Sequence, residues 1–186
     1  MFAEPRREPQ NAQGTRMAID ECEYTFTQLA AEVLPRYMAQ LRRRIVQPTP
    51  MAAFAIEGVG IATLLRQFQM PKDFEGCYVL IDGARPIYVG ISQTVFQRIL
   101  QHVRGTTHFD ASLAYRIAAA RRPQNMTRNA AMADAEFQRH FSEAQAYLRG
   151  LNVAFIEIPN PLELYLFEAY CAMQLDTSQW NTFETH

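Results

Sequence analysis

The chain has 186 residues, of which 48% are hydrophobic, and this length and composition are typical of one globular domain with a sizeable core. Its formal net charge of −1 argues against a protein that coats nucleic acid through bulk positive charge. The 3 cysteines include no C-x-x-C pair, so neither a disulfide framework nor a cysteine zinc cluster is indicated, and a reducing compartment is favoured. No stretch approaches the roughly 20 apolar residues of a membrane span, so we expect a cytoplasmic protein with no membrane partner.

The cationic residues are almost all arginines, since Lys72 is the only lysine among the 18 lysines and arginines. The planar guanidinium group of arginine is suited to two-point contact with phosphate or carboxylate. A genome rich in GC would produce the same bias. Composition alone therefore leaves both explanations open.

The first 71 residues predict a tail followed by helices. The opening residues are polar and show no apolar periodicity, which indicates disorder. From Phe26 onward apolar residues recur at helical spacing, with a kink or restart at Pro35, and a second short helix is predicted within 55–70. These features divide the chain into a disordered tail (1–17), a helical extension (18–71) and the domain that follows (72–186).

After the extension the predicted order is β-β-α-α-α-β-α. Two apolar runs rich in tyrosine, valine and isoleucine flank the turn signal Asp82-Gly83 and predict a hairpin. The predicted strands cover about 76–82, 86–91 and 151–159, and the predicted helices cover about 93–104, 112–121, 127–149 and 161–175. The fold class is therefore α+β, with a small three-stranded sheet flanked by helices.

The helix after the hairpin carries two polar residues with chemistry of interest. Arg98 and His102 are four residues apart, so they stack on one edge beside the apolar stripe of this helix. Either residue alone would be interpreted as an exposed helix polar group. Together, next to a hairpin that bears tyrosines, they indicate a cation for a phosphate and a group that accepts or orients a proton.

The last predicted helix is apolar nearly all round, with Glu168 in its middle. A bare carboxylate in such surroundings is costly, so it is kept where it is paired, hydrogen-bonded or bound to a metal. Two interpretations stay open at this point. Glu168 is either half of a buried Glu–Arg pair or a ligand for a hard cation such as Mg²⁺ or Mn²⁺.

These residues together resemble the GIY-YIG nuclease family over about residues 74–183. Gly76-Cys77-Tyr78 is similar to the first tripeptide of the family and Tyr88-Val89-Gly90 to the second. The arginine, histidine, glutamate and asparagine of the family match Arg98, His102, Glu168 and Asn181 in order and spacing. Ile91 departs from the lysine found in many members, and the segment 104–149 is longer than in the minimal family module.

The resemblance implies a role for each matched residue. Tyr88, with His102 as its relay, would activate the attacking water, while Tyr78 would position the phosphate or the water. Arg98 would stabilise the phosphoryl charge, and Glu168 would hold one Mg²⁺ or Mn²⁺ ion that acts as a Lewis acid at the leaving 3′ oxygen. Asn181 would support the site, and Gly90 would leave room for the substrate backbone.

The expected function is that of a metal-dependent endonuclease that hydrolyses DNA phosphodiester bonds. The chain lacks the further domains of the family's repair nucleases, so the expected member is a stand-alone enzyme of restriction, mobile-element or defence type. The alternative is a non-catalytic module that kept the fold for DNA binding or for another interaction. Five arginines are candidate DNA-backbone contacts, although scattered surface charge explains them equally: Arg104, Arg116, Arg121, Arg122 and Arg128.

Overall fold

The computed structural model describes residues 18–122 and 125–183, so the predicted tail at 1–17 lies outside the described residues. The helices are α1 Phe26–Gln28, α2 Leu34–Val46, α3 Ala52–Ala55, α4 Ile61–Gln67, α5 Val95–Arg104, α6 Ser112–Arg121, α7 Arg128–Ala133, α8 Ala135–Arg149 and α9 Pro161–Leu175. The strands are β1 Thr49–Pro50, β2 Gly76–Asp82, β3 Arg85–Ser92 and β4 Asn152–Glu157. A π-helical turn, Leu29–Val33, joins α1 to α2 and accounts for the restart predicted near Pro35.

Within the described residues the strands form one antiparallel sheet in the order β1-β4-β2-β3. The α+β class is confirmed, but the prediction of three strands was wrong because the sheet has 4. The missed strand, β1, consists of Thr49 and Pro50 and pairs with β4 at Val153 and Asn152. A strand of this length that contains proline has no alternating pattern to find and is tolerated only at an edge.

Helices cover both faces of the sheet. On one face α2 and α9 pack over an apolar layer from β2 and β3 that includes Cys77, Val79 and Val89. On the other face α3, α4, α5, α6 and α8 enclose a larger core. Tyr78 and Leu80 lie in that larger core, because successive residues of a strand point to opposite faces. The two tyrosines of the hairpin therefore belong to the face that α5 covers.

The predicted helical extension contributes to both faces. Leu41 of α2 is fully buried in the layer beneath α9, while Phe54 of α3 and Leu64 of α4 are fully buried in the core that contains Tyr78. Residues on the two sides of the proposed boundary at residue 72 thus share cores. The boundary itself stays a prediction.

The β2–β3 hairpin carries a bulge beside Tyr88. Leu80 pairs with Tyr88, whereas Ile81 pairs with Pro86, so Ile87 is the extra residue on β3. As a result Ile87 and Tyr88 both contact the core under α5, where strict alternation would separate them. Bulges re-aim side chains in this way.

The long helix predicted over 127–149 is two helices, so that prediction was wrong. The break lies at Asp134, whose carboxylate accepts a hydrogen bond from the Phe137 backbone N–H at 2.8 Å and caps α8. The apolar period continues across the break. It therefore concealed the cap from sequence reasoning.

Candidate active site

Three aromatic rings that the sequence singled out meet at the junction of β2, β3 and α5. The ring centroids of Tyr78 and Tyr88 are 6.2 Å apart. The imidazole of His102 lies 5.6 Å from the first ring and 6.0 Å from the second. The bulged hairpin supplies both tyrosines, and the inner side of α5 supplies the histidine.

His102 is fully buried and bonds to Tyr78, because its Nε2 lies 2.7 Å from the Tyr78 hydroxyl oxygen. The relay that we expected from His102 to Tyr88 therefore leads first to Tyr78. The Nδ1 atom of His102 is buried without a hydrogen-bond partner among the described residues. We assign the proton to Nε2, because a buried N–H without an acceptor is costlier than a vacant lone pair. Burial, followed by the nearby Arg98 charge, lowers the pKa of His102 to about 3, so the ring is neutral.

Gly90 lies opposite Tyr78 in the β2–β3 register. A Cβ atom at this position would collide with the Tyr78 ring and hydroxyl, so only glycine admits the ring here. The tyrosine ring occupies the space that a side chain at residue 90 would take. Contact between Gly90 and the backbone of a nucleic acid stays a prediction.

Tyr88 is half-buried and lies among charged groups. Burial raises the pKa of its hydroxyl, and the carboxylate of Glu168 raises it further. The guanidinium groups of Arg98 and Arg116 act in the opposite direction and lower this pKa, as does a hydrogen bond from Tyr78. Burial is the largest of these effects, so the net result is a raised pKa and a phenol that keeps its proton near neutral pH.

Arg98 is held by neutral oxygen atoms. Its Nη1 donates to the Asp110 carbonyl oxygen at 2.9 Å and to Gln101 Oε1 at 3.2 Å, and its Nη2 donates to Ser112 Oγ at 2.7 Å. These contacts use three of the five N–H groups of the guanidinium. Because all three acceptors are neutral, none of them offsets its positive charge. The Nε–H and one Nη2–H remain for other partners. Burial raises the pKa of the Tyr78 hydroxyl, and the charge of Arg98 and a hydrogen bond from it act in the opposite direction.

A residue that sequence reasoning missed fixes the start of α5. The carboxylate of Asp73 accepts hydrogen bonds from the backbone N–H groups of Phe96 and Gln97, each at 2.9 Å. Asp73 therefore takes the place of a local N-cap, since the Thr94 side chain makes no cap bond. It precedes the helix by more than 20 residues, so no sequence pattern near the helix reveals it.

Glu168 lies in the middle of α9 and is half-buried. Burial alone raises the pKa of its carboxyl group, and its charge reaches Tyr88. Among the described residues Glu168 forms no ion pair, so the buried Glu–Arg pair left open by the sequence is not found. A carboxylate that nothing else satisfies is a suitable ligand for a hard cation.

No group of three His, Cys, Asp or Glu side chains within residues 18–122 and 125–183 forms a ready-made metal cage. A structural zinc ion needs about four protein ligands, a set that the described residues do not offer. An ion of the Mg²⁺ type keeps several waters and is held by one or two carboxylates together with substrate phosphates, and Glu168 as its ligand stays a prediction.

Asn181 clamps the edge of the sheet rather than facing the rings. Its Oδ1 accepts from the Val89 backbone N–H at 2.9 Å, and its Nδ2 donates to the Val89 carbonyl oxygen at 2.7 Å. This amide satisfies the backbone N–H and carbonyl groups of Val89 on the edge strand β3, groups with which a further strand would otherwise pair. Because Val89 follows Tyr88, the contact holds the tyrosine in place.

The five predicted DNA-backbone arginines fall into different surroundings. Arg116 approaches Tyr88 and donates to Thr182 Oγ1 at 3.4 Å, so it belongs to the site. Arg121 pairs with Glu143 at 3.8 Å at the end of α6. The other three have contacts that explain them without DNA: Arg104 donates to the Val59 and Ile56 carbonyls, Arg122 pairs with Asp134 and Glu136, and Arg128 lies over the Tyr115 ring.

Comparisons with protein-family models, with curated proteins and with solved structures found no match to the chain. Among the described residues no helix is long and apolar enough to cross a membrane. A functional assignment therefore depends on the residues of this site and their geometry.

Proposed function

We propose that the protein is a GIY-YIG-type endonuclease that hydrolyses DNA phosphodiester bonds with Mg²⁺ or Mn²⁺. One observation carries the proposal: Tyr88 lies beside the rings of Tyr78 and His102, and the charges of Arg98, Arg116 and Glu168 all shift the pKa of its hydroxyl. A phosphodiester needs positive charge at its phosphoryl oxygens and a group that takes a proton from water. This site offers both kinds of group at one half-buried position.

In the proposed reaction a water oxygen attacks the phosphorus atom and the bond from phosphorus to the 3′ oxygen breaks. Tyr88 must first be a phenolate, a form that its raised pKa disfavours near neutral pH and that a cation held beside it by Glu168 would favour. The proton of the water then passes to the phenolate oxygen, and the departing 3′ oxygen takes a proton from solvent. Arg98 contacts the phosphoryl oxygens through its remaining N–H edge. The products are a 5′ phosphate and a 3′ hydroxyl.

Tyr78 and His102 act as positioning residues in this scheme. Both are almost fully buried, so neither side chain is open to the substrate directly. The neutral imidazole donates to the Tyr78 oxygen, and the Tyr78 hydroxyl donates to Tyr88. A hydrogen bond received in this way stabilises a phenolate at Tyr88.

Glu168 is the residue that would hold the divalent ion. When bound, the ion would act as a Lewis acid on the phosphate. Its positive charge would also offset the negative charge of the Glu168 carboxylate, which otherwise raises the pKa of Tyr88. The negative charge of Glu168 opposes the base role of Tyr88 unless a cation is bound.

A non-catalytic module is the second candidate, and one observation favours it. Tyr78 and His102 bond to each other in the core as a packing pair does, with 1% and 0% of their surface exposed. Under this interpretation Tyr88 completes the packing and Arg98 serves binding alone. The two candidates differ in whether any phosphodiester bond is broken.

The test is incubation of supercoiled plasmid with the purified protein and Mg²⁺ or Mn²⁺, repeated with a chelator and with the Glu168→Gln variant. We expect nicked or linear product only in the wild type with metal. Absence of product at an excess of protein over plasmid, together with a retained gel shift, would support the non-catalytic module.

A further inference from the structure

A cavity of about 520 Å³ opens beside the candidate active site. Its size lies within the range of about 300–1,000 Å³ that is typical of small-molecule and cofactor sites. Three of its lining residues are each the chain neighbour of a site residue: Ile87 of Tyr88, Ile117 of Arg116 and Trp180 of Asn181. The cavity therefore continues the surface on which Tyr88 lies.

Two cations face this cavity. Arg85 at the start of β3 and Arg121 at the end of α6 both line it, and both lower the pKa of the Tyr147 hydroxyl against burial and the nearby Asp82, which raise it to about 12. The guanidinium groups thus converge on one place from two elements. Arg121 is only loosely paired with Glu143, at 3.8 Å with both side chains about half exposed, and such surface pairs contribute little.

An aromatic wall completes the cavity. Trp180 is half-buried, packs against the core and also lines the cavity. Tyr147 stands nearby with its hydroxyl donating to Asp82 Oδ2 at 2.7 Å, so that carboxylate is held in a fixed position. A flat aromatic ring offers a stacking surface for a nucleobase, and a fixed carboxylate accepts hydrogen bonds from a base amino group.

We propose that this cavity binds one nucleotide of a polynucleotide next to the scissile bond, with its base against Trp180 and its phosphate between Arg85 and Arg121. The inference rests on the proposed function, because it names a part of the substrate that the nuclease site would bind. The base must leave its stack to enter, so single-stranded or unpaired substrate is favoured over intact duplex.

Trp180 is the only tryptophan of the chain, so its fluorescence reports on this cavity directly. The experiment is titration of the wild-type protein, in chelator, with a short single-stranded oligonucleotide, a duplex of the same sequence and a mononucleotide such as dAMP. We expect saturable quenching, tightest with the single strand. Equal affinity for dAMP and for the oligonucleotide would overturn the polynucleotide assignment and indicate a free-nucleotide site.

Charge removal in the cavity supplies the second measurement. The double variant Arg85→Gln/Arg121→Gln should bind the single strand at least about tenfold more weakly, with a salt slope reduced by about 0.7 for each lost phosphate contact. Its matched control is Arg42→Gln/Arg66→Gln, which removes two exposed arginines that do not line the cavity. A similar loss in both double variants would show general electrostatics and overturn the site.

The contribution of stacking is tested with a labelled oligonucleotide and fluorescence anisotropy. Trp180→Leu should weaken binding about tenfold, whereas Trp180→Phe keeps a stacking ring and should recover most of the affinity. Thermal melting of both variants identifies any loss of folding, because Trp180 also packs on the core.

The outcomes separate this inference from the proposed function. Quenching that depends on Arg85 and Arg121, without any plasmid cleavage, would support the nucleotide site and contradict the endonuclease. Plasmid cleavage without quenching, unaffected in the double variant, would support the endonuclease and overturn the nucleotide site.

Discussion

Glu163 and Glu168 lie on the same helix, five residues apart, and belong to two polar clusters built from similar side chains. In the closed cluster, formed by Cys22, Tyr37 and Glu163, both carboxylate oxygens of Glu163 accept hydrogen bonds. Tyr37 donates from its hydroxyl at 2.7 Å and Cys22 from its thiol at 3.8 Å. In the open cluster, formed by Tyr88, Arg98 and Glu168, the carboxylate bonds to none of the described residues.

The difference shows how a structural carboxylate is told from a candidate ligand. Glu163 is 5% exposed yet satisfied, so the fold accounts for it completely. Glu168 is more exposed and bonds to none of the described residues, and burial raises the pKa of its carboxyl group. A group that the protein leaves without a partner in a polar site is available for a ligand that comes from outside.

The largest expected effect separates the two glutamates. Glu168→Gln should abolish plasmid cleavage while DNA binding stays nearly unchanged, because a metal ligand is lost and the shape is kept. Glu163→Gln should leave cleavage intact and lower the free energy of unfolding by about 1–3 kcal/mol, since a satisfied buried acceptor is weakened. Full cleavage activity in Glu168→Gln would refute the metal assignment.

Thermal melting sharpens this contrast without any cleavage assay. Saturating Mg²⁺ should raise the melting temperature of the wild type and of Glu163→Gln, because an ion that binds only the folded state stabilises it. The Glu168→Gln variant should show no such shift. An equal shift in all three proteins would place the ion elsewhere.

The tyrosines of the two clusters give the next largest contrast. Tyr88→Phe should slow single-turnover cleavage by about 10²–10⁴-fold, the usual contribution of a base, and should leave DNA affinity unchanged. Tyr37→Phe removes the same atom from the closed cluster and should affect stability alone. A Tyr88→Phe rate within a few-fold of wild type would show that the phenol only packs.

The sequence predicted the elements whose signals are local. The bounds of α6 and α9 match the predicted helices, because apolar periodicity and Pro161 at the first turn of α9 lie within the segments themselves. The strands β2 and β3 were likewise found through their residue types and the Asp82-Gly83 turn. The site elements were therefore predictable in outline.

The partners of the site residues were not predictable, because they come from distant parts of the chain. Tyr37 precedes Glu163, to which it donates a hydrogen bond, by 126 residues. The sequence of the helix alone therefore gave no sign of which of its glutamates has partners in the fold. Ser112 and the Asp110 carbonyl hold Arg98 from the next loop and helix. Helical spacing placed His102 beside Arg98, but its burial against Tyr78 depends on how the sheet packs.

Arg98 and Arg36 provide a matched pair of arginines for the two clusters. Arg98→Lys should slow cleavage by about 10²-fold, because an ammonium group lacks the two-point edge that the guanidinium presents to an oxyanion. Arg36 lies 5.8 Å from the Tyr37 ring centroid in the closed cluster, and Arg36→Lys should leave the rate unchanged. Wild-type turnover in Arg98→Lys would reduce Arg98 to a general electrostatic role.

The smallest expected effect concerns pH and the hydrogen-bond partner of the tyrosine in each cluster. Tyr37 bonds to a carboxylate, whereas Tyr78 bonds to an imidazole whose folded pKa burial lowers to about 3. The unfolded chain binds a proton at His102 near pH 6.5, so the unfolded state holds more protons between about pH 3 and 6.5 and stability falls as the pH falls through that window. At pH 5 the expected loss relative to pH 7 and above is about 2 kcal/mol.

Denaturant unfolding of the wild type and of His102→Gln between about pH 5 and 8 measures this contribution. The His102→Gln variant loses the bond to Tyr78 and is less stable throughout, but it should lose much less further stability on acidification. Parallel curves for the wild type and His102→Gln would mean that the imidazole is charged or solvated in the folded protein. The buried relay from His102 through Tyr78 to Tyr88 would then be lost, because a protonated ring repels the cations around Tyr88.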